Sequence, residues 1–253
     1  MPELSASHHA VITGGGRGIG RAIAMALTRA GATVTVLGRD RATLDRAVAE
    51  GAAHHAIVAD VVDAAAIGAA MAEAAARQPI DSLIANAGAA ESAPFARSDA
   101  AMFRRMLDVN LMGVVYAAQA VLPAMKAHRR GRIVAVASTA GLKGYAYVSA
   151  YVAAKHAVVG LMRALALEVA AQGITVNAVC PGFTDTDLVA SSLDTIMAKT
   201  GRSRADAVAE LVQHNPQGRL VTPAEVADCV AWLCGEGASA VTGQAIAIAG
   251  GEI

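Results

Sequence analysis

Short runs rich in β-branched residues alternate with longer alanine-rich stretches from end to end of this chain, and few architectures accept that order. Two strands separated by a helix-length segment pair in parallel, so the alternation builds βαβ units and a parallel sheet buried on both faces. Strands are expected at residues 10–13, 33–37, 55–58, 82–85, 132–137, 175–179 and 245–248, and helices near 18–30, 41–50, 63–77, 99–127, 150–172 and 224–233. Gly31 and Gly173 stand where left-handed helix stops belong, and Pro223 follows Thr222 as a first-turn proline does. No repeat, low-complexity linker or shift of composition divides the 253 residues. They read as one Rossmann-like, doubly wound α/β domain over 1–253, with about seven strands and helices on both faces. The one irregular insertion, 183–220, carries two short helical patterns and is expected to be a small substrate flap.

Composition narrows the function classes. Lys plus Arg equals Asp plus Glu at 21 each, so no net field recruits nucleic acid or an anionic membrane. Hydrophobic residues make up 55% of the chain, but much of this is alanine, and no run reaches ~18 apolar residues without a charged or polar break. Residues 1–9 lack the basic-then-apolar order of a secretory signal, so a cytoplasmic protein with no membrane partner is expected. Cys180, Cys229 and Cys234 show no Cys-x-x-Cys spacing and read as inert thiols; the seven histidines, consecutive at 8–9 and 54–55, offer no metal site. The basic cluster His128-Arg129-Arg130-Gly131-Arg132 reads as a solvated turn, the other reading being a dock for an acidic carrier protein or coenzyme A phosphates.

Two motifs carry chemistry. Thr13-Gly14-Gly15-Gly16-Arg17-Gly18-Ile19-Gly20 follows the first strand and opens the first helix. Glycine dihedrals permit the turn, small residues let a pyrophosphate approach the backbone, and the free N–H groups of a helix N-terminus attract anions. Tyr151 and Lys155 lie four apart on a helix and share a face, so the ammonium can bias the phenol toward phenolate and make a tuned acid/base. Tyr145 and Tyr147 lack a lysine at that spacing.

The glycine spacing resembles that of the short-chain dehydrogenase/reductase family, and the family's other motifs follow in order along essentially the whole chain. Asn86-Ala87-Gly88 ends the fourth strand, Asn110 lies in the next helix, Ser138 ends the fifth strand, Tyr151-Val152-Ala153-Ala154-Lys155 follows, and Pro181-Gly182 ends the sixth. The resemblance implies that Ser138 polarises a substrate carbonyl, Tyr151 exchanges the proton, Lys155 holds the ribose hydroxyls and biases Tyr151, and Asn110 supports a water relaying protons to Lys155. It further implies cofactor contacts from Gly14, Gly16, Arg17, Gly18, Ile19, Gly20, Asn86 and Gly88, adenine contacts from Asp60 and Val61, and nicotinamide contacts from Pro181, Gly182, Thr184 and Thr186. An Asp capping the helix near 63 is the plain alternative for Asp60. Ala249 before Gly250-Gly251 departs from the family's usual polar residue.

The activity implied is reversible hydride transfer between a nicotinamide cofactor and a carbonyl or secondary alcohol. The overall similarity points to 3-oxoacyl or 3-hydroxyacyl thioesters, with small or cyclic ketones as the alternative substrate class. A non-catalytic dinucleotide sensor is the reading from another class, and loss of Tyr151 or Lys155 would be its mark. Gln172, where carrier-dependent members place a basic residue, favours a coenzyme A thioester or a free ketone. Gly38-Arg39 ends the second strand where NADH-using members place an Asp, so NADP(H) is expected over NAD(H), with Arg17 as a second cation and Asp40 opposing. The helices at 99–127 and 150–172 are apolar over more than one stripe, and the family pairs them between subunits, so a homotetramer is expected.

Overall fold

The computed structural model describes residues 4–253, apart from the side chains of residues 188, 191, 192, 195, 196 and 199. Seven parallel strands form one sheet: β1 His9–Thr13, β2 Thr33–Gly38, β3 His55–Val58, β4 Ser82–Ala85, β5 Gly131–Val136, β6 Ile174–Pro181 and β7 Ala245–Ile248, in the order β3-β2-β1-β4-β5-β6-β7. Around it lie α1 Gly18–Arg29, α2 Arg41–Ala49, α3 Ala64–Arg77, α4 Ala100–Leu107, α5 Gly113–His128, α6 Ser149–Val169, α7 Asp187–Thr200, α8 Arg204–Val212 and α9 Pro223–Cys234.

Side chains alternate across a strand, and here the alternation separates two cores. Val11, Leu83, Ala85, Ile133, Ala135, Val176 and Ala178 face α3, α5 and α6. Their neighbours Ala10, Ile12, Ile84, Val134, Val136 and Val179 face α1, α2 and α9. Every residue of β5 and β6 is buried, as a sheet covered on both sides requires. The strand order reverses between β1 and β4, and in open α/β sheets the crevice at the strands' carboxyl ends beside that reversal is where ligands bind.

The predicted helix at 99–127 is instead two helices joined by a π-helical turn, Asp108–Met112, with Asn110 inside it. Asn110 is the physical reason. Its side-chain amide donates to Met106 O at 3.0 Å, the carbonyl that its own backbone N–H would use in an α-helix, and the ladder slips by one residue. By length and composition the stretch Ala100–His128 could cross a membrane, which a search for unbroken apolar runs overlooks. In the fold, Val114, Ala117, Ala118, Val121 and Met125 turn it onto the sheet.

Side-chain caps are distributed unevenly. Asp40, Asp63, Asp99, Ser203 and Thr222 cap α2, α3, α4, α8 and α9, the last as a full capping box with Glu225. Arg17, Val148 and Thr186, at the starts of α1, α6 and α7, make no side-chain cap bond. Of these, α1 begins directly at the glycine turn of the crevice, where a helix's first N–H groups can meet a bound anion.

The histidine pair at the entry to β1 belongs to the interior. His8 Nε2 meets Ser82 Oγ at 2.8 Å, while the His9 ring lies 2.8 Å from both Gln78 O and Thr35 Oγ1. Burial lowers the pKa of both rings.

Candidate active site

The glycine turn after β1 is built by close approach. Gly14 has φ +65° and Gly18 φ +52°, and a Cβ on Gly20 would meet Gly14 O at 2.2 Å. Thr13 Oγ1 accepts from Asn86 N (3.0 Å) and Ala87 N (3.1 Å), and Asn86 Nδ2 donates to Thr13 O (3.0 Å) and Gly14 O (3.1 Å). Asn86 therefore pins the glycine turn to the end of β4. With Arg17 exposed and α1 uncapped, the turn presents an open N-terminus fit for a dinucleotide's phosphates.

Across the crevice, Ser138 lies two residues past the end of β5 and caps the short 3₁₀ turn Thr139–Gly141, its Oγ accepting from Ala140 N at 3.1 Å. Tyr151 and Lys155 project from the first turns of α6. The Ser138 hydroxyl faces the Tyr151 phenol, and Lys155 Nζ lies 5.6 Å from the Tyr151 ring centre while donating to Val136 O at 2.9 Å. Burial raises the Tyr151 pKa, an effect the neighbouring Ser138 hydroxyl opposes, and burial lowers Lys155 to about 8. Both groups are desolvated, and the ammonium is aimed at a backbone carbonyl, so each is shifted toward its neutral form.

Asn110 is fully buried. Its Nδ2 donates to Ala89 O (2.9 Å) and its Oδ1 accepts from Ala89 N (3.3 Å), which fixes the strand-end loop that follows Gly88. A Cβ on Gly88 would stand 2.7 Å from Asn110 Oδ1 and 3.6 Å from Lys155 Nζ, so only glycine fits between them.

This layout, a glycine-lined helix start facing a Ser–Tyr–Lys group across the strand-order reversal, is matched in known proteins. Residues 8–196 match the short chain dehydrogenase family. The chain belongs to that family. It is 39% identical to cis-4-hydroxycyclohexanecarboxylate dehydrogenase of Sinomonas cyclohexanicum over 99% of this chain and 98% of that relative. Among solved structures it is similar to an actinorhodin polyketide ketoreductase variant with NADPH, at a TM-score of 0.93, 36% identity and coverage of 98% and 99%. It is likewise similar to levodione reductase, at a TM-score of 0.92, 34% identity and 98% coverage of each chain. This short-chain dehydrogenase is thus an NAD(P)-dependent oxidoreductase of alcohols and their carbonyls.

Not every expected contact residue faces the crevice. Val61 is buried, its side chain packed against Gly113, where a Cβ would meet it at 3.0 Å. Thr184 is buried and donates to Gly182 O at 3.0 Å. Thr186 lies over the glycine turn, its Cγ2 3.4 Å from where a Gly18 Cβ would stand, so the start of the 183–220 segment meets the phosphate loop. Asp60 leaves the capping of α3 to Asp63 and faces Arg39, with 3.9 Å between Oδ2 and the guanidinium. Ile19 packs on the α1 side of the sheet, while Pro181 and Gly182 join β6 to β7 through a bond from Gly182 N to Ile248 O at 3.0 Å. The sequence suggests Tyr145, Tyr147, Phe95 and Leu188 as the lining of a substrate pocket under the 183–220 segment; Phe95 and Tyr147 are exposed, Tyr145 is half-buried, and the Leu188 side chain is outside the described residues.

The basic cluster lies at the opposite end of the sheet, around a cavity of about 420 Å³ that Glu236 and Thr242 also line. It is not wholly solvated. Arg132 is buried, 3.7 Å from Glu236, whereas Arg129 donates to Ala171 O at 2.9 Å and Arg130 lies 3.5 Å from Asp81.

Proposed function

We propose that the whole chain acts as one catalytic unit for reversible hydride transfer between NADP(H) and a ketone or secondary alcohol, with Tyr151 as the proton-exchanging residue. The observation that carries this reading is the convergence of Ser138, Tyr151 and buried Lys155 opposite the open start of α1. When bound, the nicotinamide supplies or accepts the hydride at its C4. In reduction, Ser138 and Tyr151 donate hydrogen bonds to the substrate oxygen, and as negative charge grows there Tyr151 passes its phenolic proton to it. A phenol with a raised pKa remains protonated at neutrality, which suits that direction. Lys155 holds the ribose hydroxyls, Asn110 fixes the loop beside it, and Thr186 closes over the phosphates.

The substrate is proposed to be a free ketone or a coenzyme A thioester, and the dehydrogenase relative acting on a ring alcohol favours a cyclic ketone. Ring ketones, with and without a carboxylate, and 3-oxoacyl thioesters should be incubated with NADPH. Stoichiometric loss of nicotinamide absorbance with at least one class is expected, and no net loss with any would leave a sensor or an epimerase using the cofactor transiently.

Three free cysteines fit the cytoplasm as the working compartment. A homotetramer is proposed from the outer faces of α5 and α6, where Leu167 is 87% exposed. Light scattering should give a particle near four times the 25.5 kDa chain, and a monomer at micromolar concentration would overturn the assembly.

A further inference from the structure

A buried carboxylate on the substrate side has no place in the reaction as drawn. The Glu252 side chain is 4% exposed, and its Oε1 lies 2.8 Å from Lys143 Nζ and 2.7 Å from Tyr145 Oη. Tyr145 Oη also meets Thr139 Oγ1 at 2.7 Å. One phenolic proton cannot serve both contacts. It goes to the carboxylate, which can only accept, so the Thr139 hydroxyl donates to the phenol oxygen. A single chain of bonds thus runs from the residue after Ser138 through Tyr145 to Glu252, with Lys143 supplying the counter-charge.

The same carboxylate borders the other wall. A Cβ on Gly182 would stand 3.4 Å from Glu252 Oε2, and the next residue, Phe183, meets Tyr145 edge-on at 6.0 Å. Between Thr139–Gly141 and α6 the chain runs without regular structure, and Tyr147 holds the left-handed value φ +67° without being glycine. Such backbone strain persists only where surrounding bonds enforce it. The bonds around it are Ala93 N to Tyr147 O at 2.8 Å and the Glu252 chain.

We infer that Glu252 is a positioning residue, which sets the substrate-side wall formed by Thr139, Lys143 and Tyr145 against Ser138. This rests on the carbonyl-reductase reading. Glu252 takes no part in the proton transfer, and its bonds go to Lys143 and Tyr145; its effect falls on where a substrate is received.

The test compares Glu252→Ala, Glu252→Gln and Tyr145→Phe with the wild type, using the ketone the wild type accepts. Losing the charged acceptor is expected to raise KM about tenfold in Glu252→Ala, with kcat and NADPH affinity within about threefold. Glutamine keeps an acceptor for both donors and should restore KM to within about threefold of wild type, whereas Tyr145→Phe, which breaks the chain but keeps the ring, should raise KM as alanine does. A merely structural role would lower the active fraction, moving kcat and leaving KM alone, and that result overturns the inference. So does a glutamine variant as impaired as alanine. Amide hydrogen exchange across 139–148 separates this inference from the reaction itself: it should quicken in Glu252→Ala even if the wild type reduces no carbonyl tested, and unchanged exchange overturns the positioning role.

Discussion

Replacing Tyr151 by phenylalanine is expected to cut the rate of carbonyl reduction about a thousandfold, ~4 kcal/mol of transition-state stabilisation, while NADPH affinity stays within about threefold. The ring packs against Met102, Met106, Ala150 and Ala154, and phenylalanine preserves that packing, so the loss isolates the transferable proton. Retention of more than about a tenth of the wild-type rate would remove Tyr151 from the role. The pH profile gives a second reading of the same site. Because burial raises Tyr151, the phenol needed for reduction is present throughout the neutral range, and reduction should be flat there. Lys155, lowered to about 8, loses its charge above that pH, so reduction should decline on the alkaline side only. Oxidation needs the phenolate and should rise with pH where reduction does not. An acid-side fall in reduction with a midpoint near neutrality would show that another group supplies the proton.

Some of this site was open to reading in the chain and some was not, and the division follows the range of the forces involved. The strand and helix alternation is local, so all seven strands fall within a few residues of their expected places. Tyr151 and Lys155 are legible because one helix turn fixes their relation. The burial of the Tyr151 ring was not, since it depends on elements as far away in sequence as Ala89 and Met102 that close around it. The π-turn at Asn110 depends on a side chain outcompeting its own backbone, which leaves the apolar periodicity unchanged. Val61 and Thr184 sit in family motifs yet turn inward, because the motif fixes the backbone and Gly113 and Gly182 receive their side chains. Glu252 gave no signal: its partner Tyr145 is 107 positions away, and only the β6–β7 pairing brings them together.

The choice between NADPH and NADH should follow the end of β2. A carboxylate there would accept from the adenosine ribose 2′-hydroxyl and repel a 2′-phosphate; the chain has Gly38 instead, followed by Arg39. The nearby acid that could oppose a phosphate, Asp40, is committed elsewhere. It caps α2, accepting from Ala42 N at 3.0 Å and Thr43 Oγ1 at 2.5 Å. Among the described residues Arg39 makes a loose, exposed contact with Asp60 at 3.9 Å, and such surface pairs are worth little, so its guanidinium can turn to a dianion. Arg17 stands exposed at the start of α1 as a second cation. A Gly38→Asp, Arg39→Leu double variant is sterically admissible, since a Cβ at 38 makes its nearest contact with Leu44 at 3.4 Å. The variant should shift the ratio of kcat/KM for NADPH over NADH about a hundredfold toward NADH, ~2.7 kcal/mol, through loss of a bidentate cation and gain of a repelling carboxylate. Nearly all of the change should lie in the KM for the cofactor, because the substitutions lie at the adenine end of the crevice and leave Tyr151 and Lys155 untouched. A wild type that prefers NADH, with a ratio the double substitution fails to move, would show that selection is made elsewhere in the crevice.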